Sequence, residues 1–312
     1  MVIERNVIEM KKMLITGGTV FVSRFAAAYF AKKYHVFVLN RNTKPQCDGV
    51  NLIKGDRHAL GQTLKAHHFD VVLDITAYDK ADVQDLLNAL GSFDDYILIS
   101  SSAVYPETEG QPFLESAETG VNRYWEKYGT DKIEAEKTLS SRVPHAYILR
   151  PPYLYGPWNN VYREAFVFDC AMLNRPFFVP GEGEMKLQFF HVKDLCRLVE
   201  LIIDKKPERK IFNVGNRDSI SVKQWVSMCY DAVGKMPEFI SVDHSIPQRN
   251  YFPFYDYEYC LDVTHQYEIM SDVTSMEEGL YDAFQWYKGN KNSVNRKPLI
   301  DFIDNEISKR HG

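Results

Sequence analysis

The sequence predicts an α/β fold in which a doubly wound parallel sheet carries a smaller, interleaved lobe. Three observations predict it. Short β-rich runs alternate with longer amphipathic stretches through the first half, a glycine turn follows the first of those runs, and a C-terminal third rich in aromatics, Pro and Asp/Glu breaks the rhythm. At 312 residues the chain can bury a substantial core, and 45% hydrophobic with 25% charged residues place it among folded globular proteins.

Taken in order, KKMLIT (11–16) is the first strand, SRFAAAYFAKKY the first helix and HVFVLN (35–40) the second strand. NLIKGD, FDVVLDIT (69–76), ADVQDLLNALG and DDYILIS (94–100) continue the alternation, and HAYILRPP (145–152) and KIFNVG (210–215) extend the same sheet. Apolar runs without strict alternation fit strands covered on both faces. YLYGPWNN, the stretch PFFVPGEGEMK (176–186), read as a loop, and the aromatic-crowded IPQRNYFPFYDYEYCLDV (246–263) belong to the lobe. The division is therefore 11–152 with 188–216 for the sheet, and 153–187 with 217–312 for the lobe that closes over the carboxyl ends of the strands.

A formal charge of −5 supplies no general attraction for a polyanion, so nucleic acid is an unlikely partner on composition. Cys47, Cys170, Cys196, Cys229 and Cys260 are far apart, without C-x-x-C or zinc-type spacing, so they read as reduced thiols and no metal site is expected. No stretch approaches the roughly 20 apolar residues that span a bilayer, so no membrane partner is expected. The opening MVIERNVIEM lacks the apolar run of a secretion signal and reads as a short tail, so a cytoplasmic setting is expected.

The first strand runs into Gly17-Gly18-Thr19, and a helical pattern begins near Phe21. Such a turn lets backbone amides and a helix N-terminus face a pyrophosphate. In G-x-x-G-x-x-G spacing the second and third glycines are Val20 and Ser23. After the second strand, Asn40-Arg41 stands where an acidic residue would accept from the adenosine ribose; Arg41 instead suits a 2′-phosphate, which tilts the cofactor from NAD toward NADP, or is a solvent-exposed loop residue. Asp56, Thr76 and Ala77 line the same edge, Asp56 either reaching the adenine or capping a turn.

DDYILIS ends in Ser100-Ser101-Ser102, and a later helix carries Tyr128 and Lys132, at i and i+4 on one face. A tyrosine that titrates near 10 must come down by about 3 pH units, about 4 kcal/mol, to serve as a base near neutrality. Lys132 is expected to supply part of that, with Ser101 or Ser102 holding a substrate hydroxyl.

TGGTVF (16–21), ISSSAVY (99–105), YGTDK (128–132), LRPPYLYGP (149–157), HVKDL (191–195) and FNVG (212–215), in this order, resemble the extended short-chain dehydrogenase/reductases, the NAD-dependent epimerase/dehydratase group. The resemblance implies a Rossmann-type sheet, Tyr128 as acid/base, Lys132 on the nicotinamide ribose, Ser101 as the substrate serine with Ser102 beside it, and Pro151 and Tyr153 near the nicotinamide. It implies hydride transfer at a hydroxyl-bearing carbon of a sugar, nucleotide sugar or sugar-like small molecule, and allows a homodimer through helices near 80–91 and 121–141. His191 and Asp194 would position the lobes.

The chain also departs from the pattern. Where sugar-nucleotide enzymes of the group place a diphosphate-gripping arginine, it has Leu187, followed by Gln188, a candidate substrate contact with Ser102. GGTVFVSR is closer to the GGT-R-F-I-G-R turn of an atypical branch that includes chloroplast stem-loop RNA-binding proteins and keeps the fold with changed or lost chemistry. The alternative to an enzyme is thus a non-catalytic NAD(P)-binding regulatory or RNA-associated protein.

Overall fold

The computed structural model describes residues 10–311, so the expected tail lies, except for Met10, outside the described residues. Strand β1 (Lys12–Thr16) leads to helix α1 (Phe21–Phe30), β2 (His35–Asn40), β3 (Val50–Lys54) and β4 (His68–Asp74). Helix α2 (Lys80–Ala89), β5 (Ser92–Ile99), α3 (Glu126–Arg142) and β6 (Tyr147–Arg150) follow. The chain then builds β7 (Tyr153–Tyr155), α4 (Glu164–Met172), β8 (Phe177–Pro180) and β9 (Lys186–Leu187). It continues through β10 (Phe189–His191), α5 (Val192–Lys205), β11 (Ile211–Asn213), β12 (Ile220–Ser221), α6 (Val222–Val233) and β13 (Phe239–Val242), and then α7 (Thr264–Ile269) and α8 (Met276–Tyr287).

Seven strands form one parallel sheet in the order β11-β6-β5-β4-β1-β2-β3, so all the strands expected in it are present. Alternate strand residues feed two cores. Met13, Ile15, Val36, Val38, Val71 and Leu73 face α1 and α5, whereas Leu14, Leu39, Val72, Tyr96 and Leu98 face α2 and α3. Helix α5 buries Leu195, Leu198, Val199, Ile202 and Ile203 on one stripe, each worth at most about 1.5–3 kcal/mol. A reciprocal capping box between Asp79 and Asp82 starts α2. The sheet is Rossmann-type: the chain moves outward from β1 through β2 and β3, then returns to β4 on β1's other side. Crossovers diverge there, which opens a crevice at the carboxyl ends of β1 and β4.

The remaining strands pair as β7 with β10, β8 with β13 (both parallel) and β9 with β12 (antiparallel). The stretch 176–186, expected to be a loop, therefore contains a strand. All four residues of β8 are buried, and its partner lies some 60 residues later, beyond the reach of a local pattern. Trp225, Phe166, Phe168, Phe252 and Phe254 fill the core of this region. Segment 246–263 has one turn of 3-10 helix, at Gln248–Asn250, and one parallel bridge, Leu261 to Phe113, and is otherwise fixed by side chains, with Phe254 edge-on to Tyr153 and Trp225 (ring centroids 4.6 and 5.1 Å). Helix α7 returns to pack on α5 and β11. No described helix is long and apolar enough to cross a membrane.

Candidate active site

The glycine turn is a backbone device. Gly17 (φ +90) and Gly18 (φ +93) both occupy the left-handed region, where a side chain is strained. Gly17 N donates to Leu39 O (2.9 Å) and Asn40 Nδ2 donates to Gly17 O (2.6 Å), which pins the turn to β2. A Cβ on Gly17 would lie 2.8 Å from Ser23 Oγ and 2.9 Å from Thr76 Cγ2. Ser23 donates back to Val20 O (2.9 Å), so the two replaced glycine positions are accommodated and the close approach rests on Gly17. Thr19 leads from the turn into α1, whose first residue, Phe21, also has positive φ (+37) and whose first turn carries no acid. A Cβ on Gly18 would lie 2.6 Å from Val38 Cγ1. Gly18→Ala is therefore expected to lose about 1–3 kcal/mol in urea unfolding; a loss below about 0.5 kcal/mol, the scatter of unremarkable surface substitutions, would count against this account.

Beyond the turn, a recess of about 350 Å³ is lined by Gly17, Asn40, Arg41, Asp56, Arg57, Thr76 and Tyr78. Asn40 is engaged by Gly17, Gln46 and the Asn42 amide, so it shapes the rim more than it offers free groups. Arg41 is exposed. Asp56 accepts from His58 N (3.0 Å), the turn-capping role. Arg57, which no motif marks, also lines the recess, and its Nη2 donates to the buried Asp74 (2.6 Å). Burial pushes the Asp74 carboxyl up, but Arg57, Tyr96 and Thr16 outweigh it and hold it below the usual range.

A second cleft, of about 410 Å³, shares Thr76 and Tyr78 with the first, so the two read as one groove. It brings together Ser101, Ser102, Tyr128, Lys132, Pro151 and Tyr153, and adds Trp125, Arg163 and Tyr259. Ser102 Oγ donates to Tyr259 Oη (3.1 Å). Burial raises the Tyr128 phenol above its ordinary value, while the nearby Ser101 hydroxyl and the charge of Arg163 act to lower it. The side chain as a whole stays 40% exposed at the cleft mouth, where water reaches it.

Lys132 corrects one expectation. Its ammonium does not meet the phenol; it donates to Ala77 O (2.7 Å) and Ile99 O (3.0 Å), and burial pulls it down to about 8. Ala77 accordingly stands behind the groove and holds the lysine. Gln188 is the second correction. It is buried, donates to Asn216 O (2.8 Å) and Leu261 O (3.3 Å) and accepts from Leu261 N (2.8 Å), so it ties 246–263 to the sheet side instead of facing the cleft. His191 is also sealed away, and burial lowers its pKa to about 4. Asp194 accepts from Thr274 N (2.7 Å) and fastens the C-terminal segment.

Behind the site, Arg150 binds Glu136 (Nη2 to Oε2, 2.6 Å) and donates to Tyr105 Oη (2.8 Å), which in turn donates to Asn213 (2.8 Å). This buried network joins α3, one turn beyond Lys132, to β6 and β11. The one three-residue grouping of metal-ligand types among the described residues, His68, Asp70 and Asp94, lies at the opposite ends of the strands.

A model of the NAD dependent epimerase/dehydratase family matches residues 13–215. The chloroplast stem-loop binding protein of 41 kDa b of Arabidopsis thaliana is 29% identical over 300 residues, spanning 88% of this chain and 78% of its own length. The 2′-dehydrokanamycin reductase of Streptomyces kanamyceticus is 22% identical, over 74% of this chain and 69% of its own. Among solved structures, the UDP-N-acetylglucosamine 4-epimerase of Methanobrevibacter ruminantium M1, in complex with UDP-N-acetylmuramic acid, shares the fold with a TM-score of 0.74 at 17% identity, covering 90% of this chain and 99% of its own. The dTDP-glucose 4,6-dehydratase of Bacillus anthracis, in complex with NAD, gives 0.72 at 17% identity, covering 93% and 99%. The family match spans the glycine turn, both halves of the groove and the Ser/Tyr/Lys set, and the chain belongs to the NAD dependent epimerase/dehydratase family.

Proposed function

We propose that this protein is an NAD(P)-dependent enzyme that moves a hydride at a hydroxyl-bearing carbon of a sugar or sugar-like substrate. One observation carries the reading: Ser101 and Tyr128 meet in a cleft continuous with a glycine-turn groove at the sheet's crossover point. The positive-φ glycines, the acid-free start of α1 and the recess at Arg41 suit a dinucleotide. The nicotinamide supplies the hydride acceptor when bound. The protein's own part is acid–base and positional. Ser101 holds the substrate hydroxyl, Tyr128 Oη takes its proton, and Arg163 favours the phenolate that forms. Lys132 is fixed to two carbonyls on the groove floor, where its charge faces the cofactor side. Epimerisation and dehydration begin with this step, and reduction of a carbonyl runs it in reverse, with Tyr128 giving the proton and the reduced nicotinamide the hydride.

In this reading 11–152 with 188–216 bind the cofactor, 153–187 with 217–312 select the substrate, and two copies pair through α2 and α3. Arg41, exposed at the rim of the recess, favours NADP over NAD. Calorimetry is expected to show micromolar binding of a nicotinamide dinucleotide; Arg41→Ala should weaken NADP by about tenfold, about 1.4 kcal/mol, with little change for NAD. If neither dinucleotide binds, the enzyme reading fails. A second reading, an RNA-associated module, is favoured by the name of the 29% identical relative and opposed by the net charge of −5. Salt-dependent binding of a stem-loop RNA without dinucleotide binding would select it.

A further inference from the structure

Two of the residues lining the chemical cleft, Lys132 and Arg163, are cations. The Lys132 ammonium is engaged by two carbonyls. Arg163 is half-buried at the start of α4, its guanidinium carbon 4.9 Å from the centre of the Tyr153 ring and 5.7 Å from that of Phe254. Among the described residues no carboxylate forms an ion pair with it. The neighbouring Glu164 is buried, accepts from Asn159 Nδ2 (2.8 Å), and is pushed toward its neutral form.

Two more cations gather behind it. Arg249 lies over Tyr255 (4.6 Å), whose ring packs edge-on to the cleft residue Trp125 (5.3 Å), and its Nη1 donates to the carbonyls of Phe252 (3.5 Å) and Pro253, so it acts on the cleft as a charge at a distance. Lys297 is near enough for both arginines to repel its charge, and Arg163 repels that of Arg249. No carboxylate is among the principal charges acting on either. Elsewhere the chain pairs its buried arginines, Arg150 with Glu136 and Arg57 with Asp74. Arg163 and Arg249 are half-buried and Lys297 is exposed; holding two half-buried guanidiniums near one another without a carboxylate carries a cost that the aromatic rings offset only in part. The rings also hold the Arg163 guanidinium in place, which prepares it for bidentate contact with an anion.

Position limits what that anion is. Arg163 shares its cleft with Ser101 and is close enough to Tyr128 to lower its pKa. A cleft of about 410 Å³ that also receives a nicotinamide ring has room beside it for a small polyol. Leu187 is buried and apolar and offers no charge from its strand.

We infer that the substrate carries a carboxylate or phosphate monoester within a few bonds of the reacting hydroxyl, and that Arg163, backed by Arg249 and Lys297, receives it. This rests on the hydride-transfer reading above, and makes the substrate an acidic sugar derivative.

The test is calorimetric titration of glucuronate, glucose 6-phosphate, glucose and UDP into full-length wild type, Arg163→Met and Arg163→Lys, each saturated with dinucleotide. Wild type should bind one of the two acidic sugars at least about tenfold more tightly than glucose or UDP, a difference of about 1.4 kcal/mol. Whichever acid wins assigns the anion. Arg163→Met, which keeps the apolar stem, should abolish the preference, and Arg163→Lys should keep part of it. Equal binding of acidic and neutral sugars by wild type, tighter binding of UDP, or a preference that survives in Arg163→Met would overturn the inference. Should Arg163→Met fail to fold, undiminished preference in Arg163→Lys together with Arg249→Met would do the same. Dinucleotide titrations of the same proteins keep the two readings apart: normal cofactor binding without acid preference removes only the anion inference, whereas absent cofactor binding in wild type removes the enzyme reading itself.

Discussion

Tyr128→Phe is expected to lower turnover by about 10²- to 10⁴-fold, the range for loss of a positioned acid/base group, while dinucleotide affinity stays within about twofold, under 0.5 kcal/mol. The substitution removes one oxygen and leaves the ring, so the contact with Tyr78 (centroids 6.4 Å apart) and the shape of the cleft mouth persist. What is lost is the hydroxyl that shares the cleft with Ser101 and on which the charge of Arg163 acts. Because burial raises this phenol, activity should climb with pH through the range in which the phenolate forms, and that limb should disappear in the variant. The measurement is the kcat–pH profile of both proteins, followed by nicotinamide absorbance. An unchanged rate and profile would clear Tyr128 of any acid/base role.

Arg150→Met should cost about 3–5 kcal/mol of stability, the range for orphaning one member of a buried ion pair. Arg150 and Glu136 are 4% and 5% exposed, and Arg150 holds both carboxylate oxygens. Burial opposes the arginine's charge, but Glu136 and Tyr105 outweigh it and raise its pKa. Methionine would leave Glu136 with Ser100 as its remaining side-chain partner. Adding Glu136→Gln should recover part of the loss, because the stranded charge causes most of the damage. Urea unfolding with an unchanged slope is the readout; a loss below about 1 kcal/mol, the worth of an exposed ion pair, would mean that water reaches the pair.

The legible parts of the fold were those whose physics is local. Strands β1, β2, β4, β5, β6 and β11 are largely runs of buried residues, and such runs are visible in sequence, whereas β3, at the sheet edge, has no fully buried residue and was legible from its place in the alternation. Strand β8 was missed because its partner β13 comes some 60 residues later, and only the pairing makes it a strand. At the site, Ser101, Tyr128 and Lys132 were legible from order and spacing. Helical spacing places Tyr128 and Lys132 on one face, but cannot show that Ala77 O and Ile99 O arrive from other strand ends to take the ammonium. Gln188 was misplaced for a related reason: its position between β9 and β10 does not say which way its amide turns. Arg163 and Tyr259 carry no spacing signal. Tyr259 sits in the aromatic-crowded stretch, the nearest thing to a clue.

That stretch, 246–263, sets how the family member can change over evolutionary time. It lays Tyr259 against Ser102 and Phe254 beneath Arg163, yet its backbone is tied to the rest chiefly through the exchange with Phe113 and by Gln188. One ring can replace another there without disturbing a ladder of strand hydrogen bonds. Changes in what the protein accepts can therefore accumulate in a region whose drift leaves the dinucleotide end intact, and related chains should diverge first in these rings and last in the glycine turn.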